Sequence, residues 1–401
     1  MTFPSAASAN IPRSTVPTLA TSPVIGALAA LLVLVGLSSL GSGRLFLLGL
    51  IGLAMGLALY HAAFGFSHGF RVLLREGRSA HVRAQIVMLG VAVLLFLPVI
   101  EAGEAFGQTV RGFHFPMGPA LVVGAFLFGL GMQISGGCVS GTLYTAGGGS
   151  VRMWITLLSA IAGATIAAFA APLWSIWPQW PAVSLPRTIG LVPALALNAA
   201  IFLAAYAGLL VLERRRFGHI QPIVGRGRWL TGPWPYAWAA IALAVLNFAT
   251  LVTAGRPWGV TQAFALWGSK AAEATGLADP VFWPFWEDPT RVESLMRPLW
   301  ADPTTIMNVA VIAGALVAAL LAGRFAPTWR IRPGEAVGSL LGGLLIGAGA
   351  IVATGCNISA FFSGIASGSL HGWIWIAAAL PGSWLGLKVR PFLGLDAAPG
   401  R

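Results

Sequence analysis

The sequence predicts an all-α polytopic membrane protein: about ten transmembrane helices plus short re-entrant helices, in two inverted-topology repeats of five spans each. Three observations lead there. Hydrophobic residues make up 57% of the 401-residue chain and charged residues only 9%, against about 25% charged in a soluble domain; mean hydropathy is +0.82. Ten apolar runs are long enough to cross ~30 Å of hydrocarbon, at about 20 residues each. A Gly-Cys element occurs twice, once in each half. The 51 glycines and 16 tryptophans agree with this class, because Gly is enriched in spans and Trp at membrane interfaces. So sparse a polar surface excludes a soluble globule, and so apolar a chain excludes a disordered one.

The runs fall at 19–40, 45–66, 82–100, 117–135, 150–171, 188–212, 234–254, 304–322, 334–354 and 370–388. Residues 1–18 form an amino-terminal tail and 389–401 a carboxy-terminal one. The first repeat is 19–171 and the second 188–388. No cleavable signal peptide is expected, because the polar stretch from Met1 to Thr18 is long and carries only Arg13. With the amino terminus inside, 17 of the 24 basic residues fall on the cytoplasmic side, and eight of the 12 acids fall outside. The positive-inside rule selects this orientation, with both tails cytoplasmic. The net charge of +12 therefore reflects topology rather than nucleic acid, since the arginines are scattered between apolar runs. The outer segments 172–186 and 281–300 are rich in Trp and Pro, as interfacial structure is.

The only two cysteines, Cys138 and Cys356, mark the duplication. Glycine stands 14, 9, 7 and 1 positions before each: Gly124, Gly129, Gly131 and Gly137, then Gly342, Gly347, Gly349 and Gly355. A weaker pair lies upstream, Phe66-Ser67-His68-Gly69-Phe70 against Val260-Thr261-Gln262-Ala263-Phe264, with a hydroxyl residue three before a Phe. Five spans per half put the halves in opposite orientations, the plan of secondary transporters with a midplane site.

Each Gly-Cys element follows a full span and precedes about ten residues, too few to cross. The pattern predicts a helix, a break, and a short re-entrant helix beginning near the Cys. Broken backbone at membrane depth is tolerated only where it lines a cavity or is buried in protein. Facing breaks would present helix amino termini with free N–H groups, a setting for an anion. Its expected lining is Cys138, Cys356, Ser67, Thr261, Gly137, Gly355, Ser140, Thr142, Asn357, Gln133 and Gln262. Glycine as packing spacer and cysteine as apolar filler is the plainer reading, but the matched positions of the only two cysteines weigh against it. Both thiols are expected free, since a permanent disulfide would block the site.

The absences discriminate as well. No acid falls inside an expected span, with Glu335 only at the edge of the ninth, which disfavours a cation carrier. No phosphate loop is present, and two cysteines supply neither a disulfide framework nor a zinc set. No metal and no cofactor is expected. His61 and His68 read as interfacial or packing histidines near a cytoplasmic helix end rather than as a gate or proton relay, the other role open to them, and Arg214-Arg215-Arg216 as a topology anchor. Gly255-Arg256-Pro257-Trp258-Gly259 places a cation beside a Trp at an outer-facing break, fit either to attract an anion or to anchor the loop.

At Gly136-Gly137-Cys138-Val139-Ser140-Gly141, Thr354-Gly355-Cys356-Asn357-Ile358-Ser359, Phe66-Ser67-His68-Gly69-Phe70-Arg71 and the run from Gly255 to Trp267, the chain resembles the YeeE/YedE family of bacterial inner-membrane sulfur transporters. The resemblance covers about residues 45 to 390. It implies an inverted-repeat, channel-like transporter of thiosulfate or a related sulfur or selenium species, with Cys138 and Cys356 at the positions of two essential thiols. Where some members carry a third Cys, this chain has Ser67. Three classes of function stand at this point: uptake of a sulfur anion, a membrane thiol enzyme that accepts sulfane sulfur as a persulfide, and a membrane partner of small cytosolic sulfur-carrier proteins. A base beside either thiol would favour the second, and none is evident in the sequence.

Overall fold

The computed structural model describes residues 23–396. The tail at 1–18, with Arg13, and the last residues with Arg401 lie outside them. Seventeen α-helices follow in order. The first half holds α1 (Pro23–Ser38), α2 (Gly43–Ala62), α3 (Phe66–Glu76), α4 (Ala80–Ala102), α5 (Pro119–Ser135), α6 (Val139–Gly147) and α7 (Val151–Phe169). Two short helices, α8 (Ala171–Trp174) and α9 (Leu185–Ile189), lead to the second half. There follow α10 (Leu191–Phe217), α11 (Tyr236–Ala254), α12 (Val260–Ala274), α13 (Pro289–Met296), α14 (Pro303–Leu321), α15 (Pro333–Val352), α16 (Ser363–Ala366) and α17 (Leu370–Val389). A π-helical stretch, Asn357–Phe362, runs directly into α16. The strands are a two-residue hairpin, β1 (Glu104–Ala105) and β2 (Gln108–Thr109), in which Glu104 faces Thr109.

The chain is an all-α polytopic membrane protein. Among the described residues, eight helical stretches are long and apolar enough to span, including Gly43–Glu76, Pro119–Gly147 and Pro333–Ala366, which each join a span to the short helix after it. The first expected span is represented by α1, apolar over 16 described residues. The last is α17, 20 residues long with Pro381 inside it. Prolines open α5, α14 and α15, where a missing N–H leaves no helical bond unmade.

One expectation is corrected. The helix expected over 188–212 continues to Phe217, so Glu213 lies within it and is fully buried. Arg83 of α4 reaches it at 3.2 Å, and the Ser79 hydroxyl also donates to it. The acid is tolerated because its charge is neutralised on the spot.

Helices pack in corresponding pairs. In the middle α5 meets α15 and α2 meets α11. Around them α5 lies on α17 and α7 on α15, α2 on α14 and α4 on α11, α1 on α14 and α10 on α4. Exchanging the five spans of one half for those of the other converts each pair into another on that roster. Glycines make the close approaches. A Cβ at Gly129 would overlap the Ala379 carbonyl oxygen, and one at Gly382 that of Phe126, across the α5/α17 contact. Gly163 and Gly347 do the same to Leu344 and Ala160 between α7 and α15, as do Gly56 and Gly314 to Val311 and Leu53 between α2 and α14. Helices in lipid associate through such backbone proximity, because burying apolar side chains yields little there.

The connections gather at two ends. At one, Arg111 N–H donates to the Gly255 carbonyl, Met117 bridges to Trp180, and Ser184 bridges to Ser369. At the other, Arg75 and Arg390 hold Asp396, Arg152 holds Ser339, and Trp234 N–H donates to the His61 carbonyl. These are the two groups of connections that the alternation of spans assigns to opposite sides.

The reciprocal glycines set a test. Gly347→Val should force α7 and α15 apart at about 1–3 kcal/mol and lower the unfolding temperature in detergent by several degrees. Gly208→Ala, with nothing within 4 Å of the new Cβ, should leave it unchanged or raise it. Equal stability of both variants, measured by thermal unfolding, would remove the close packing from this contact.

Candidate functional site

Two spans stop and restart at a cysteine. α5 ends at Ser135, and Gly136 then takes φ of +83°, a left-handed conformation that favours glycine. Cys138 caps the amino end of α6: its Sγ accepts the Gly141 N–H at 3.4 Å and lies 3.5 Å from Ser140 Oγ. The Cys138 carbonyl accepts from Thr142 N and Oγ1 at 2.7 and 2.8 Å. In the second half α15 ends at Val352, and Thr354 and Gly355 take φ of +60° and +156°. Cys356 caps the π-helical stretch: its Sγ accepts the Ile358 N–H at 3.4 Å and the Ser359 hydroxyl at 3.6 Å. Its own N–H donates to Ser359 Oγ at 2.9 Å. A Cβ at Gly355 would meet Ser359 Oγ and stand 2.8 Å from the Ala360 N. Both thiols are free and 1% exposed, and both belong to one contiguous core.

The hydroxyl units occupy equivalent registers. Ser67 is the second residue of α3 and Thr261 the second of α12, each behind a glycine, Gly65 or Gly259, that offers no side-chain cap. Both are buried.

Several predicted residues meet. α12 packs against both α6 and Asn357–Phe362, and α3 against α5 and α17. Gln133 Nε2 donates to the Ser67 carbonyl at 3.1 Å, while its Oε1 is buried without a partner among the described residues. Asn357 Nδ2 reaches Met132 Sδ at 3.4 Å, and its Oδ1 is likewise buried and unpartnered. The Phe66 ring, beside Ser67, lies 5.9 Å from that of Phe361. The backbone of both Gly-Cys pairs is also held, the Gly137 carbonyl by Ser135 Oγ at 2.9 Å and the Gly355 carbonyl by Trp375 Nε1 at 3.1 Å. Gln262 is engaged elsewhere: its Oε1 accepts from Arg256 Nη1 at 2.8 Å.

Sequence reasoning missed two arginines that finish the first break. Arg152 Nη2 donates to the Ser135 carbonyl and Arg390 Nη1 to that of Gln133, both at 2.6 Å. They cover carbonyls at the end of α5 that have no helical partner. Both counted as topology charges, and nothing in their spacing links them to Cys138. Asp396 holds Arg390 at 2.9 Å and Arg75 at 2.5 Å. Burial pushes its carboxyl up, and the hydrogen bonds and charges of the two arginines outweigh burial, so it stays below the usual range.

Chemically, each sulfur accepts a backbone N–H and keeps its own S–H to donate. Helix amino termini, S–H groups and unfilled amides are neutral or weakly polar, a set that receives an anion without fixing it as a cation would. Among the described residues no cluster of three His, Cys, Asp or Glu side chains could hold a metal ion.

The family described as sulphur transport matches residues 61–385, from α2 to α17 and through both cysteine breaks. This chain belongs to the sulphur transport family. Members similar to it include a protein named thiosulfate transporter TsuA from Spirochaeta thermophila, 26% identical over 361 residues that cover 84% of this chain and 96% of that one. A protein of the same name from Escherichia coli is 25% identical over 371 residues, 85% of this chain and 94% of its own. A probable transporter YedE from Salmonella typhimurium is 33% identical over 163 residues, about two fifths of either chain. Within this family the Gly-Cys breaks are thus carried on a chain similar over most of its length to proteins named as transporters.

The capping role separates sulfur from shape. Cys138→Ala and Cys356→Ala should each lose about 0.5–2 kcal/mol with the cap, while Cys138→Ser and Cys356→Ser keep an acceptor and most of the stability. Thermal unfolding of the four purified variants measures the difference, and Ala variants as stable as the Ser variants would contradict it.

Proposed function

We propose that this protein takes up thiosulfate, or a closely related sulfur-containing anion, across the bacterial inner membrane. The path runs through a midplane site between two inverted halves, 19–171 and 188–388, lined by the neutral thiols of Cys138 and Cys356 and by short-helix amino termini. One observation carries the reading: in a chain of the sulphur transport family, the only two cysteines are buried at corresponding breaks, each capping a restarted helix. The paired packing of the halves supports the inverted repeat, and the names of the two full-length relatives support the substrate.

Thiosulfate carries part of its charge on a soft terminal sulfur, to which a polarisable S–H is a suited donor. A thiolate would repel the dianion, whereas an S–H meets it as a donor. Ser67, Thr261, Ser140, Gln133 and Asn357 complete the donors along the path, with Gly137 and Gly355 making room. A persulfide-forming enzyme needs a base at the thiol; among the described residues, the groups bonded to the two sulfurs are hydroxyls and backbone N–H groups. The basic end, with Arg71, Arg75, Arg152 and Arg390, then faces the cytoplasm, where a small sulfur-carrier protein would take up the product.

Thiosulfate-dependent growth of an uptake-deficient bacterium expressing this chain tests the function. Cys138→Ala and Cys356→Ala should each abolish or strongly reduce growth at a normal membrane level, and wild-type growth of the double variant would return both to filler. Ser67→Ala should slow uptake per folded molecule only a few-fold, and Ser67→Cys preserve it. Tags near Arg226 and at the carboxy terminus should report the cytoplasm and one near Asp288 the outside; an external tag near Arg226 would overturn the topology.

A further inference from the structure

The segment between α12 and α14, residues 275–302, has no counterpart in the first half, where only residues 77–79 join α3 to α4. It packs on the amino-terminal part of α12 and lines a small, partly open cleft with Arg256, Arg291, Thr290, Ser294, Asp302 and Thr304 on its walls. We infer that this cleft is an anion-docking site, separate from the thiols, that captures a small tetrahedral oxyanion before it reaches the breaks. The inference rests on the transport reading for its place in the path, but not for its chemistry.

The partners of the charges carry the argument. Four carboxylates of the segment have partners of their own: Asp279 accepts from Val281 N–H at 3.2 Å, Asp288 from Thr290 N–H and Oγ at 2.9 and 2.5 Å, Glu293 pairs with Arg297, and Asp302 caps α14 through the Thr305 N–H at 2.7 Å. Neither Arg256 nor Arg291 has a carboxylate within 4 Å among the described residues. Arg256 is oriented by neutral groups, Gln262 Oε1 at 2.8 Å and Thr304 Oγ1 at 3.4 Å. Arg291 donates to the Phe285 carbonyl at 3.2 Å and lies 4.4 Å over the Phe285 ring. Gly259 has no side chain to displace Gln262, since a Cβ there would stand 2.8 Å from its Oε1.

Two guanidiniums fixed by neutral partners keep unused donors in the fork geometry that matches an oxyanion. Asp302 on the same wall leaves one net positive charge on the lining, enough to attract a dianion and too little to trap it. Thr290, Thr304 and Ser294 offer hydroxyls beside them. The cleft lies on the end of the bundle that the basic residues assign to the outside. Its presence in one half alone sets it apart from the duplicated breaks.

Uptake kinetics in proteoliposomes and calorimetry in detergent test it. Arg291→Gln and Arg256→Lys should each raise the KM for thiosulfate about tenfold with the maximal rate within about twofold, the signature of lost initial binding. Inorganic thiosulfate and inorganic sulfate should bind the purified Cys138→Ala/Cys356→Ala protein, and binding should vanish when Arg291→Gln is added. Uptake with unchanged KM in both arginine variants, or no anion binding to the cysteine-free protein, overturns the cleft and leaves the transport reading standing. Arginine-dependent binding by a wild-type protein that moves no thiosulfate overturns the transport reading and leaves the cleft.

Discussion

A helix that stops inside hydrocarbon leaves N–H and C=O groups with no water to bond, and each such group costs several kcal/mol unless the protein supplies a partner. The architecture around the two cysteines answers this constraint. Ser135 ends α5 and Cys138 caps α6, so about four carbonyls and as many amides fall free at one break. Arg152 and Arg390 take carbonyls from one side, and Cys138 Sγ takes an amide from the other. At the second break the Trp375 indole, the Ser359 hydroxyl and Cys356 Sγ do the same work. In the proposed transport reading, the remaining first-turn N–H groups are the donors that an anion would meet.

The same constraint sets how the spans pack. Fixed breaks require backbones to approach closely, and the reciprocal glycines on α5 and α17, on α7 and α15, and on α2 and α14 let them do so. Several polar side chains of the interior are tied to a neighbour: Arg83 to Glu213, Trp258 to Asn308, and Asn308 in turn to the Val260 carbonyl at the start of α12. Rigid neighbours hold α12 and α6 in place beside the thiols. A loose lining would admit water and weaken every neutral donor in it.

Some features recur in both halves of the chain and others do not. The breaks, the hydroxyl registers at Ser67 and Thr261, and the packing pairs correspond between halves. The segment 275–302 and its two arginines do not. Nor do the ligands of the two breaks, since arginines close the first and an indole the second.

The sequence by itself determined the membrane class, because composition alone decides which solvent a chain can face. It also determined the spans, whose observed ends lie within a few residues of the apolar runs except at α10, where Glu213 looked like a boundary and is a paired interior acid. Periodic glycine and the two cysteines located the breaks, since local backbone freedom and cap chemistry are written in adjacent residues. Contacts between distant residues were illegible. Asn357 on Met132, Gln133 on the Ser67 carbonyl, and Arg152 and Arg390 on the end of α5 join positions far apart in the chain, and one sequence carries no record of which residues meet. Gln262 shows the limit most directly. Its position beside Thr261 made it a candidate for the path, and only the tertiary structure shows that its Oε1 accepts from Arg256.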